Sequence, residues 1–176
     1  MQKFFKDKHS ALLLIDIQSD YVATVTPAFE SNVRRVLNHA RSEGIPVIHV
    51  RYVTSRRKST HLPFKFEIGN EGRSHATYKR GGKLLPWTFE KGDAVCTKHT
   101  YDGFHRTKLH SMLQKRGVET LYVAGLDTGE CVLNTMLTAF NLGYRIRLIE
   151  AACVDSKPGR HRRTLKSHRN EIYLAR

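Results

Sequence analysis

Apolar and polar positions follow two rhythms along this chain. Ala11-Leu12-Leu13-Leu14-Ile15 is an unbroken apolar run, as expected of a central strand covered on both faces. After Thr26-Pro27 the apolar residues move to helical spacing at Phe29, Val33, Val36, Leu37 and Ala40. Pro27 suits the first helical position, and Gly44 closes the stripe. Pro46 to Val50 and Asp93 to Thr97 read as strands, the second ending at Lys98. A helix with Leu109, Met112 and Leu113 inward stops at Gly117. Glu119 to Ala124 is a further strand. It is followed by a tight turn and a helix with Val132, Met136, Ala139 and Phe140 on one face, ended by Gly143. Tyr144 to Ile149 is a strand, Ser156-Lys157-Pro158 opens a last helix, and Glu171 to Ala175 suits an edge strand. Alternating strands and helices without an internal repeat predict a single doubly wound α/β domain over residues 1–176, with a mostly parallel sheet flanked by helices.

One stretch breaks the rhythm. Residues 51–83 hold nine Lys or Arg against two Glu, with glycines and serines between. They predict a surface excursion reaching to residue 91 that could act as a lid. Phe64, Phe66 and Trp87 could touch a ligand or simply anchor this segment. Gly81-Gly82-Lys83 lacks the earlier glycine and the following Ser or Thr of a phosphate loop, and no GxGxxG occurs. No cofactor is expected.

Composition narrows the class. A hydrophobic share of 40% fits a globular fold. The N-terminal apolar run is too short for a signal or membrane segment. Three widely spaced cysteines make no disulfide framework and suit a reducing, cytoplasmic setting. The net charge of +14 implies weak, non-specific attraction to polyanions and says nothing of chemistry. Lys157 to Arg169, with six Lys or Arg, two His and no acid, reads as a solvated helix face.

Candidate chemistry lies at the strand ends, where open parallel sheets bind ligands. Asp16 follows the first strand, Lys98 ends the third, and Cys131 opens a helix after the fourth. Taken singly, each has a plain alternative: a turn aspartate, a solvated lysine, a small core cysteine. A helix start and a nearby lysine would favour thiolate over thiol, and the N–H groups of that turn could hold an oxyanion. Cys96 and Cys153 read as core, and His49 and His61 as a strand and a loop residue rather than metal ligands.

Three motifs in order carry a resemblance. Leu14-Ile15-Asp16-Ile17-Gln18-Ser19-Asp20-Tyr21 is similar to an L-I-D-x-Q-x-D-F signature. Gly92-Asp93 through Lys98 to Phe104, Thr107 and Leu109 follows a G-D…K…F-x-x-T-x-L pattern. Gly125-Leu126-Asp127-Thr128-Gly129-Glu130-Cys131-Val132 supplies the third, with Thr135, Ala139 and Gly143-Tyr144 beyond. Together they resemble the isochorismatase-like cysteine hydrolases, a family that includes nicotinamidases and N-carbamoylsarcosine amidohydrolases. The resemblance implies a three-layer sandwich and a homo-oligomer. It implies Cys131 as nucleophile, Asp16 as base and Lys98 as the bridge between them. It also implies a cis Leu126–Asp127 peptide, an oxyanion hole from the N–H groups of Asp127 and Cys131, and Tyr21 in the substrate pocket. Gln18, Trp87, Tyr101 and Phe104 join Tyr21 as candidate substrate contacts.

The chain departs from the family at two places. The Asp-x-His of metal-dependent nicotinamidases is absent, since Val50-Arg51-Tyr52-Val53-Thr54 stands in that segment, so no metal is expected. Asp127 replaces a small residue, and its carboxylate could bind a substrate amide or raise the thiol pKa. True isochorismatases do not need the cysteine, so Cys131 points to C–N hydrolysis of a small amide, carbamoyl or ureido compound. The alternatives are vinyl-ether or ester hydrolysis on the same scaffold, and an idle fold that binds an acidic partner through its basic surface.

Overall fold

The computed structural model describes residues 5–53, 82–169 and 173–174. Among these, six parallel strands form one sheet: β1 (Ser10–Ile15), β2 (Val47–Tyr52), β3 (Ala94–Lys98), β4 (Thr120–Gly125), β5 (Arg145–Cys153) and β6 (Tyr173–Leu174), in the order β3-β2-β1-β4-β5-β6. The order reverses at β1, which therefore lies between two strands and is buried along its whole length. That is why its sequence is apolar without alternation.

Side-chain alternation along β1 divides the core. Leu12 and Leu14 face α1 (Pro27–Ser42) and pack with Phe29, Val33, Val36, Leu37 and Ala40. Ala11, Leu13 and Ile15 face α2 (Leu109–Gln114) and α3 (Leu133–Asn141), through Leu109, Leu113, Met136 and Ala139. Helix α1 begins where the sequence places it. The Thr26 hydroxyl accepts from Phe29 N at 3.2 Å, and Pro27 stands where no N–H is missed. Among the described residues no helix is long and apolar enough to cross a membrane.

Three expectations change. Phe140 is 51% exposed rather than inward; Thr135 takes the inward place, because its hydroxyl donates to Cys131 O at 2.7 Å and accepts from Gly103 N at 2.9 Å. Strand β5 runs on to Cys153 across a bulge opposite β4, beyond the expected end at Ile149. The last helix, α4, spans Arg160–Ser167 and starts after Gly159, so Ser156-Lys157-Pro158 precede it. The amides of Ser156 and Lys157 bond instead to the carboxylates of Asp127 and Asp155. Of the expected excursion, residues 54–81 lie outside the described residues, with His61, Phe64 and Phe66 among them. Its far end is pinned beyond β1, by Ser19 N to Lys83 O at 2.9 Å and Gly82 N to the Asp20 carboxylate at 3.0 Å.

Strands β1 and β4 approach most closely at Gly125. Its φ is +132°, and a Cβ there would lie 2.1 Å from the carbonyl oxygen of Ile15. Only glycine meets both conditions. Gly125→Ala is expected to destabilise the fold by roughly 3 kcal/mol or more, a fall of about 6–12 °C in melting temperature, as read by thermal denaturation.

Candidate active site

The carboxyl ends of β1, β3 and β4 bring the three candidates together. Asp16 follows Ile15 with φ +55°, a left-handed conformation few non-glycine residues adopt. It is held there by Asp16 N to Val50 O at 2.9 Å, while Leu126 N bonds Ile15 O on the other side. The Ile15–Asp16 peptide thus joins the two sides, and Asp16 is 1% exposed.

Lys98 is wholly buried at the end of β3. Its ammonium lies 2.7 Å from Asp16 Oδ2 and donates to Cys131 Sγ and to Thr100 O, both at 3.1 Å. Two hydrogen bonds and one close ion pair thus surround the buried charge. The Tyr52 ring lies beneath the ammonium at 5.0 Å, within cation–π range. Sequence reasoning missed both Tyr52 and Thr100. The loop after Lys98 is fixed to α3: Thr138 Oγ1 donates to the Asp102 carboxylate at 2.9 Å, and Thr135 bridges Gly103 to Cys131 as above. Lysine and cysteine are held to each other by backbone as well as by charge.

Cys131 stands in a single π turn (Thr128–Val132) that feeds α3, rather than in the first turn of an α-helix. The peptide Leu126–Asp127 is cis. Within the turn, the amides of Thr128, Gly129, Glu130 and Val132 bond to acceptors of the protein itself. The expected lowering of the thiol pKa does not hold. Burial and the nearby Asp16 carboxylate push the Cys131 thiol up, against the pull of Lys98. Burial also pushes Asp16 up against Lys98. Burial alone would lower the Lys98 ammonium, but Asp16 and Cys131 outweigh it and push it up. The resting arrangement is a neutral thiol beside a carboxyl with raised proton affinity, bridged by a permanent cation. It can pass a proton from sulfur to Asp16 when a carbonyl arrives, without storing a free thiolate.

The other candidates separate. The Tyr21 phenol is pushed up by burial and by the Asp16 carboxylate, so it stays protonated and can donate. Gln18 is committed to the scaffold: its amide accepts from Tyr52 N at 2.6 Å and donates to Tyr52 O at 3.0 Å, clamping β2 to the segment after β1. Trp87 packs on the α1 side with the Arg34 guanidinium 4.6 Å from its ring centroid. Tyr101 and Phe104 pack against the opposite core, Phe104 stacked with Tyr144 at 6.0 Å. The Asp127 carboxylate accepts from Ser156 N, Ser156 Oγ and the Arg160 guanidinium at 2.9, 2.6 and 2.7 Å. That carboxylate is occupied by Ser156 and Arg160. Cys96, Cys131 and Cys153 are all free and buried.

His49 is engaged within the fold. Its imidazole lies in β2 with Nε2 3.0 Å from the Asp93 carboxylate, which also pairs with Arg41 at 2.7 Å. Among the described residues no group of three or more His, Cys, Asp or Glu could hold a metal.

A three-layer α/β sandwich with Asp, Lys and Cys converging at strand ends defines a class of protein, and comparison with known proteins agrees. Residues 10–173 match the isochorismatase domain, and the chain belongs to the isochorismatase family of hydrolases. It is similar to the isochorismatase family protein YddQ of Bacillus subtilis strain 168, 32% identical over 151 residues, which are 82% of this chain and 77% of that one. It is 28% identical over 188 residues to the ureidoacrylate amidohydrolase RutB of Yersinia enterocolitica, covering 88% and 79% of the two chains. The crystal structure of N-carbamoylsarcosine amidase from Thermoplasma acidophilum superposes with a TM-score of 0.76 at 25% identity, covering 95% of each chain.

Proposed function

We propose that this hydrolase cleaves the C–N bond of a small amide, carbamoyl or ureido compound through a thioester on Cys131, without a metal. The observation that carries the reading is the buried ammonium of Lys98, 2.7 Å from the Asp16 carboxylate and 3.1 Å from the Cys131 sulfur. In the proposed sequence Cys131 attacks the carbonyl carbon as its proton moves to Asp16. The carbonyl electron pair passes to oxygen, facing the N–H groups of Asp127 and Cys131. Collapse expels the amine, which takes the proton from Asp16; water then attacks the thioester with Asp16 again as base, the C–S bond breaks, and Asp16 returns the proton to the Cys131 sulfur as the acid product leaves. Lys98 keeps the sulfur and carboxylate oriented throughout, and Tyr21 donates to the substrate. The amidohydrolase and amidase relatives support the reaction class. A screen of small amides, carbamoyl and ureido compounds with ammonia detection tests it; vinyl-ether or ester turnover with no amide turnover would replace it.

The engagement of His49 with Asp93 supports activity independent of metal. Turnover is expected to survive exhaustive chelation, and activity lost with a stoichiometric metal and regained with it would reverse that.

The basic run acts separately. Arg162, Arg163 and Lys166 are exposed on α4, so their joint replacement by glutamine is expected to weaken heparin or duplex-DNA binding. The salt slope of log K should fall by about 3, near 0.9 per lost phosphate contact, with hydrolysis unchanged. Arg160 does not belong to that surface set, because its guanidinium faces the cysteine turn.

A further inference from the structure

Arg160 opens α4 and belongs to the basic run, yet its side chain is only 15% exposed. Its Nε donates to Asp155 Oδ1 at 2.6 Å and one terminal nitrogen to Asp127 Oδ2 at 2.7 Å; the other terminal nitrogen donates to the Glu130 carboxylate. A single planar fork therefore holds three carboxylates from two segments. Asp155 passes the constraint on, since its second oxygen accepts from Gly129 N at 2.8 Å. Helix α4 also seats directly on Gly129: a Cβ there would lie 2.6 Å from Arg160 Cγ and 2.8 Å from Thr164 Oγ1. Thr128 adds a bond to His161 Nδ1 at 2.9 Å. Residues 127 to 130 are thus held from outside by α4 and the strand end before it. The two backbone N–H groups assigned to the oxyanion belong to Asp127 and Cys131, which bracket this stretch.

We infer that Arg160 is a positioning residue that fixes the oxyanion-binding turn by tying Asp127, Glu130 and Asp155 to one guanidinium. The inference rests on the reading of Cys131 as an acylated nucleophile. Without Arg160, two carboxylates of the turn repel each other and the oxygen that becomes negative as sulfur attacks. That penalty falls on the transition state. The thiol itself is governed from the other side by Asp16 and Lys98, so alkylation, which forms no oxyanion, is insensitive to the clamp. A lysine cannot replace the fork, because an ammonium is a point charge and cannot span three carboxylates in a plane.

The experiment compares wild type with Arg160→Gln and Arg160→Lys in three measurements: the acylation burst with p-nitrophenyl acetate, kcat and KM on the best amide, and iodoacetamide labelling of Cys131 by mass spectrometry. In the burst the S–C bond forms, nitrophenolate leaves and the thiol proton goes to Asp16. Both variants are expected to lose tenfold or more in burst rate and kcat, with KM and labelling rate within threefold of wild type. Labelling and acylation falling in parallel would mark general damage to the fold and overturn the inference, as would a wild-type burst rate in Arg160→Lys. If Arg160→Gln does not fold, Glu130→Ala decides, since it removes one arm at a partly exposed position. A threefold or larger loss of acylation with unchanged labelling is then expected, and an unchanged burst overturns the clamp. A wild-type protein that bursts with the ester but cleaves no amide ends the amide reading and leaves the clamp to be judged on the burst. A wild type with no burst ends the clamp's role as well.

Discussion

Cys131→Ala is expected to abolish turnover, with activity at or below the detection limit of an ammonia assay. Alanine leaves Lys98 and Asp16 facing each other but removes the atom that would carry the acyl group. The other two cysteines cannot substitute. Cys96 lies within β3, and the Lys98 ammonium donates to the Cys131 sulfur rather than to this one. Cys153 ends β5 with its thiol directed to Val123 O at 3.9 Å, away from the Lys98 ammonium that bonds Cys131. The loss should come without unfolding, because the change removes one sulfur from a position that is 8% exposed; a melting temperature within a few degrees of wild type separates the chemistry from the fold. A Cys131→Ala protein that still hydrolyses the best substrate near the wild-type rate would end the thioester mechanism.

The second large effect belongs to Asp16. Asp16→Asn keeps the shape but cannot accept the thiol proton, and a loss of about 10²–10⁴ in kcat is expected from general acid–base assistance alone. The electrostatics sharpen this. Burial pushes Asp16 up, Lys98 opposing, so the carboxylate takes a proton more readily than an ordinary aspartate. As base it must begin ionised. Activity is therefore lost as pH falls through the raised value, and the acid limb of kcat/KM should lie above the ordinary aspartate range near about 3.9. Three coupled groups share this titration, so the limb reports the triad rather than one residue. In Asp16→Asn the limb should disappear from whatever activity remains. A limb unchanged in that variant would assign the base elsewhere. Lys98→Ala should be nearly as damaging, because it leaves a buried carboxylate without its cation. Lys98→Arg should restore little, since a planar guanidinium does not fit where one ammonium meets Asp16, Cys131 and Thr100.

Strand and helix placement was largely legible because it rests on local rhythm. The apolar run of β1 and the stripe of α1 are properties of consecutive residues, and both appear as read. The start of α4 was not legible. Ser156-Lys157-Pro158 has the composition of a helix opening, yet its amides are drawn to carboxylates of Asp127 and Asp155. The same competition hid Gln18, whose motif position suggested a substrate contact but whose amide is consumed by the main chain of Tyr52. Arg160 was hidden by its neighbours: the six basic residues between Lys157 and Arg169 read as one solvated face, and the fold turns Arg160 inward.

Local pattern alone fixed the succession of strands and helices along the chain and put three polar residues at strand ends. Apolar periodicity is a backbone property, and the open parallel sheet leaves only its carboxyl edge for such residues. The tertiary structure decided everything that depends on what a charge faces. It set Lys98 between Asp16 and Cys131 and turned the Asp127 carboxylate away to Arg160. It also buried the thiol deeply enough that desolvation and a carboxylate outweigh the lysine. A pKa or an ion pair is fixed by distances between residues remote in the chain, and those distances exist only once the strands have paired.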